Sequence, residues 1–202
     1  MNVVMEFLED GELWARAQAG DAGAFGVLFD RHANSVYRYC FRRSADWAIA
    51  EDLTSVVFFE AWRRCADFEL GEGRLLPWLL GVATNIIRNQ RRSLRRYRAA
   101  LERLPPLEFE RDFAEDLTER LDAERRMRTV LADVRRLPRV EQEVLALCIW
   151  EGLSSGAVAE ALGVPEGTVR SRLFRARARL REAVARHEDP SPLPSSEGVA
   201  PQ

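Results

Sequence analysis

Between Asp10 and about Arg98 apolar residues recur at helical spacing, and the one proline in that stretch is Pro77. Several helices in succession are predicted there, and strand signals are weak throughout the chain. On a helix from about Ala50 to Arg63, the residues Ala50, Leu53, Thr54, Val57 and Ala61 fall on one side and should face a core. The opposite side carries Asp52, Val56 and Phe59, with Ser55, Trp62 and Arg63 close by. Large apolar groups beside a carboxylate on an outward face fit a protein-docking surface. Spacing alone leaves open the alternative that Phe59 and Trp62 pack under a neighbouring helix. A second long helix is predicted from Pro77 to Arg98, with Trp78, Leu79, Val82 and Ile86 on one side. Asn85, Arg88, Asn89, Arg92 and Arg96 lie largely on another.

The helical pattern returns at about Leu117 and leads to the most informative stretch, Ser154 to Arg181. Ser154 can cap a short helix carrying Val158, Ala159 and Leu162, Gly163 can end it, and Pro165 is placed to open the next, where its missing N–H is harmless. Two helices joined by so short a glycine-containing turn read as a helix-turn-helix. On the second helix Val169, Leu173, Ala176, Leu180 and Val184 form one apolar stripe. Ser171, Phe174, Arg175 and Ala178 stand opposite it, flanked by Thr168 and Arg170. Such a face can enter a major groove, where Arg reads guanine and Ser or Thr reads several base edges. A solvated or membrane-surface basic helix is the plain alternative.

Charge changes the picture only when it is divided along the chain. The 202 residues carry a formal net charge of −2, which taken alone argues against a nucleic-acid partner. Every basic residue is Arg, the side chain suited to bidentate contacts with phosphate and guanine. Arg88 to Arg98 holds six arginines and no acid; Leu101 to Glu124 holds nine acids against three arginines; Pro165 to His187 holds seven arginines against two glutamates. Two basic helices are thus separated by an acidic segment with Pro105-Pro106 near its start, which reads as a linker. The residues from Glu188 to Gln202, with four prolines among Ser and Gly, should be disordered. Cys40, Cys65 and Cys148 lie far apart without a C-x-x-C pair, and with only His32 and His187 no metal site, cofactor site or disulfide framework can be assembled. No leader pattern or membrane-spanning run is present, so a cytoplasmic protein is expected.

Four stretches together are similar to the extracytoplasmic-function (ECF) sigma factors, members of the sigma-70 family of bacterial RNA polymerase. They are Ala50-Glu-Asp-Leu-Thr-Ser-Val-Val-Phe58 with Ala61-Trp62; Pro77-Trp-Leu-Leu-Gly-Val-Ala-Thr-Asn85; Leu137-Pro-Arg-Val-Glu-Gln-Glu-Val144; and the run from Gly163 to Leu180. The resemblance implies an all-α chain of two helical domains joined by an acidic linker. Residues 1–98 would bind core polymerase and the −10 element, 99–116 would be the linker, 117–187 the helix-turn-helix domain on the −35 element, and 188–202 the tail. It implies core contacts, on the clamp helices and flap, at Asp52, Leu53 and Phe58, to which the outward face of the helix adds Val56 and Phe59. For the −10 element it implies Asn85 and Asn89, with the loop from Phe68 to Arg74 capturing a flipped base, and the basic face of the helix adds Arg88 and Arg92. Thr168, Arg170, Ser171, Phe174 and Arg175 would read the −35 element. Ser55-Val56 departs from the Gln-Glu common in the family, and Ser155-Gly156-Ala157 from a bulkier, more acidic stretch.

The function expected is therefore a promoter-specificity subunit that helps melt DNA, with no catalytic residue, no cofactor and an anti-sigma factor as a further partner. A stand-alone helix-turn-helix regulator is the alternative, and an adaptor for acidic proteins stands behind it. A simple regulator needs neither the apolar face on the first domain nor the second basic helix.

Overall fold

The computed structural model describes residues 5–70, 75–101 and 118–188, and it is helical without strands among them. Residues 1–4, 71–74, 102–117 and 189–202 lie outside the described residues, and with them most of the expected 99–116 linker, the end of the Phe68 loop and nearly all of the tail. The helices are α1 (Asp10–Gln18), α2 (Ala22–Ser44), α3 (Trp47–Arg64), α4 (Leu75–Leu101), α5 (Thr118–Val134), α6 (Arg139–Leu145), α7 (Ser155–Leu162) and α8 (Glu166–Glu188). No helix among the described residues is long and apolar enough to cross a membrane.

Short polar side chains set the helix starts. The Asp21 carboxylate accepts from the Gly23 and Ala24 amides at 3.0 and 3.1 Å, Asp46 accepts from Ile49 at 3.0 Å, and Ser154 accepts from Ala157 at 3.2 Å. Gly163 ends α7 in the left-handed region at φ 63°, where a side chain would be strained. Pro165 stands one residue before α8, and its carbonyl accepts from the Thr168 amide at 2.9 Å. α4 begins at Leu75, two residues ahead of Pro77. After α6 the chain continues as a π turn over Ala146–Trp150.

The first half, α1 to α4, buries Leu13, Trp14, Leu28, Val36, Tyr39, Val57, Leu79 and Leu80. This core does not stop at the linker. Val144, Ala146 and Leu147 after α5, Val158 of α7 and Val169 of α8 belong to the same apolar cluster. Gly81 of α4 lies directly against α7: a Cβ there would sit 2.4 Å from the Ala161 carbonyl oxygen. Only the absence of a side chain lets the two helices meet at that distance. Polar ties run beside the contact, with Arg42 Nη1 reaching Glu151 at 2.8 Å and the Trp150 carbonyl at 3.0 Å.

Candidate nucleic-acid interface

α8 turns its apolar stripe inward and leaves its opposite face outward. Val169 and Ala176 are fully buried and Leu173 and Leu180 half-buried, so the apolar stripe fixes which face remains free. On that face Arg170, Ser171 and Arg175 are exposed, and Phe174 is 74% exposed. A phenyl ring held in water without packing is unfavourable for the isolated chain and fits an apolar contact with a partner, such as a thymine methyl. Thr168 is half-buried; its carbonyl accepts the Ser171 hydroxyl at 3.0 Å, leaving the Ser171 lone pairs outward.

α4 presents Asn85, Asn89 and Arg92 as an exposed row at steps of four and three. Arg88 lies in the same sector but is engaged. Its Nε and Nη2 donate to the two carboxylate oxygens of Glu143 at 2.7 and 2.5 Å, and its Nη1 donates to Asn85 Oδ1 at 3.0 Å. The carboxylate bonds hold the Arg88 guanidinium above its ordinary pKa, so it stays charged. Arg91 points elsewhere, its Nη2 donating to the Arg43 carbonyl at 2.9 Å. The side chains of Arg95, Arg96 and Arg98 are outside the described residues.

Phe68 stands where α1 and α4 hold it. Its carbonyl accepts from Trp14 Nε1 at 2.9 Å and Gln18 Nε2 at 3.1 Å, and its ring stacks on Trp78 with centroids 4.4 Å apart. Phe68 and Trp78 line a cavity of about 480 Å³ whose other wall is Gly156, Ala157 and Glu160 of α7. The second half thus closes over the aromatic pair.

On α3, Asp52, Val56, Phe59 and Trp62 are exposed, with Phe59 at 65% and Phe29 of α2 at 42% beside them. Trp62 and Phe29 are anchored from below by edge contacts to Phe25 at 4.9 Å and Phe58 at 4.7 Å. Leu53 and Phe58, the other two expected core contacts, are 4% and 5% exposed, because both project from the core side of α3, and they support the helix that carries Asp52, Val56 and Phe59.

The sequence reading missed the carboxylates that hold these arginines. Glu141 and Glu143 of α6 are both 3% exposed. Two residues apart on a helix, they point in nearly opposite directions. Glu143 takes Arg88 of α4, while Glu141 takes Arg179 at 2.6 Å and Arg175 at 3.4 Å on α8. Paired acids in Val140-Glu-Gln-Glu-Val144, flanked by apolar residues on a short helix between two basic ones, were the available signal.

Comparison with known proteins follows the same division. The model for sigma-70 region 2 matches residues 28–97, and that for sigma-70 region 4 matches residues 130–180. The chain is 36% identical over 168 residues to the ECF RNA polymerase sigma factor BldN of Streptomyces coelicolor, covering 82% of this chain and 62% of that one. It therefore spans about three-fifths of that relative's length. With the ECF RNA polymerase sigma-E factor of Haemophilus influenzae it shares 32% identity over 197 residues, 89% of this chain and 97% of that one. Its fold is similar to that of the sigma factor RpoE solved in complex with the anti-sigma factor NepR from Bartonella quintana, with a TM-score of 0.57 at 22% identity, over 80% of this chain and 96% of that one. With both regions in order on the two packed halves, the chain belongs to the sigma-70 family, among the ECF sigma factors.

Proposed function

We propose that the chain is a promoter-specificity subunit of bacterial RNA polymerase, binding core enzyme, reading the −35 and −10 elements and promoting melting of the DNA between them and the start site. The observation that carries this reading is the union in one chain of two surfaces. One is the apolar face of Val56, Phe59 and Trp62 beside Asp52; the other is the outward face of α8 with Arg170 and Phe174. A stand-alone helix-turn-helix regulator needs only the second. Residues 1–98 take the core clamp helices and the −10 strand, with Asn85, Asn89 and Arg92 toward the bases and Phe68 beside the flipped one. Residues 117–187 take the flap and the −35 duplex through Thr168, Arg170, Ser171, Phe174 and Arg175. Residues 99–116 join them, and 188–202 form the tail.

The chain's part is recognition, with bond-making left to the polymerase, and its place is the cytoplasm with the chromosome. An anti-sigma factor is a natural partner, since the exposed Asp52 face would serve it as well as it serves core. Run-off transcription with purified core enzyme across a promoter library tests the proposal. A promoter-dependent product that appears only with the chain supports it. Tight, symmetric duplex binding without core, and no product above core alone, would replace it with the regulator reading.

A further inference from the structure

The two arginines expected on the −35 face of α8 are held differently. Arg170 pairs with Glu166, one turn earlier on the same helix, at 3.7 Å, and both side chains are exposed. A pair of that kind is screened by water and salt and fixes neither partner. Arg175 pairs instead with Glu141 of α6, whose side chain is 4% exposed. Its Nε lies 3.4 Å from Oε1, while Arg179, one turn further along α8, donates from Nη1 to Oε2 at 2.6 Å. One buried carboxylate therefore grips two arginines on a single face of α8. The Arg175 side chain still reaches solvent, at 53% exposure. With Nε turned toward Glu141, the edge that Arg175 keeps for a bidentate contact is Nη1 with Nη2. α6 and α8 both belong to the second half, so this grip, unlike that of Glu143 on Arg88, crosses no boundary between the halves.

We propose that Glu141 is a positioning residue for −35 recognition: it presets Arg175, so that the base pair Arg175 meets is specified more strictly than the one Arg170 meets. The inference rests on the promoter reading above. A long side chain ordered before it reaches DNA loses less freedom at contact, and its planar fork then meets a guanine edge already aligned. A sequence without matching acceptors draws no benefit from the fixed edge. Glu141 also offsets part of the positive charge of Arg175 and Arg179, which weakens their attraction to the phosphates of any sequence. Both effects favour discrimination between sequences over bare affinity.

The test uses the full chain assembled with core enzyme and a library of duplexes randomised across the −35 element, with the bound sequences counted base by base. Arg175→Ala, at an exposed position, identifies the base pair that Arg175 reads. Glu141→Gln should lower the preference at that base pair about twofold to tenfold, the cost of ordering one long side chain on binding. It should leave the other base pairs unchanged and steepen the salt dependence by about one charge. Adding Glu141→Gln to Arg175→Ala should change the preference no further. A carboxylate that only supported the fold would lower Tm and weaken binding to all sequences alike, and that result overturns the inference. So does a preference at the Arg175 base pair that survives Glu141→Gln in a chain whose parent discriminates, and the promoter reading then stands. A parent complex with no sequence preference across the library overturns both. A measurement on the parent alone covers a Glu141→Gln chain that does not fold. Nitrogen-15 relaxation of the arginine side chains should find the Arg175 Nε–H more restrained than that of Arg170, and equal mobility overturns the inference.

Discussion

Glu151 sits between two opposing influences. Burial disfavours its carboxylate and raises its pKa above the ordinary 4.5, while Arg42 at 2.8 Å pulls it down and loses. The folded chain therefore holds this proton more tightly than the unfolded chain does. Its contribution to stability is complete below 4.5 and is lost as pH rises through the raised folded value. Glu151→Gln keeps an oxygen for Arg42 but has no proton to release. In urea titrations run from below pH 4.5 upward, the variant should lack that part of the decline; the difference between the two curves isolates Glu151 from the other acids. Superimposable pH slopes would mean that the side chain is solvated. Glu143 and Glu141 on α6 are buried too, and each accepts direct bonds from an arginine.

At the level of helices, the contact between α4 and α7 turns on Gly81. Alanine is the better helix former by about 1 kcal/mol, which would stabilise α4 standing alone. Against that, the new Cβ would meet the Ala161 backbone oxygen at 2.4 Å, and a backbone atom cannot rotate away. Overpacking of this kind costs about 1–3 kcal/mol, so Gly81→Ala should lower the stability of the packed chain while raising the helicity of an isolated α4 peptide. Urea midpoints and peptide circular dichroism check the two signs separately. Gly81 also marks how far the sequence could be read. The periodicity of α3 named its buried side, and Ser154, Gly163 and the Val169 stripe placed α7 and α8 within a residue or two, because capping and amphipathicity are local. The meeting of Gly81 with Ala161, and of Arg88 with Glu143, joins residues 80 and 55 positions apart, which no local period encodes. The burial of Leu53 and Phe58 belongs here too: membership in a motif does not distinguish a side chain that touches a partner from one that holds up the helix.

The whole molecule, as packed, cannot span a promoter. Helices in contact lie about 8–10 Å apart, so α8, reached from α4 through α7, stands on the order of 20 Å from it. Elements named for positions about 25 base pairs apart lie on the order of 80 Å apart along a duplex rising ~3.4 Å per pair. On the proposed function, the halves must separate before Arg170 and Asn85 can read both elements at once. The packed form also occupies Arg88 with Glu143 and roofs the Phe68 and Trp78 cavity with α7. Glu143→Gln weakens that form by loosening its hold on Arg88, and it replaces no residue expected to contact DNA. Arg88 is a third exposed, so water replaces part of what is lost, and the expected destabilisation is about 1–3 kcal/mol. Each ~1.4 kcal/mol removed from the packed state raises the opened fraction about tenfold until that fraction dominates. Glu143→Gln should therefore reach half-maximal run-off transcription at a lower chain concentration than the parent, with a larger radius of gyration in isolation. An expanded variant with unchanged or weaker transcription would show that opening does not limit promoter use and that Glu143 serves stability alone.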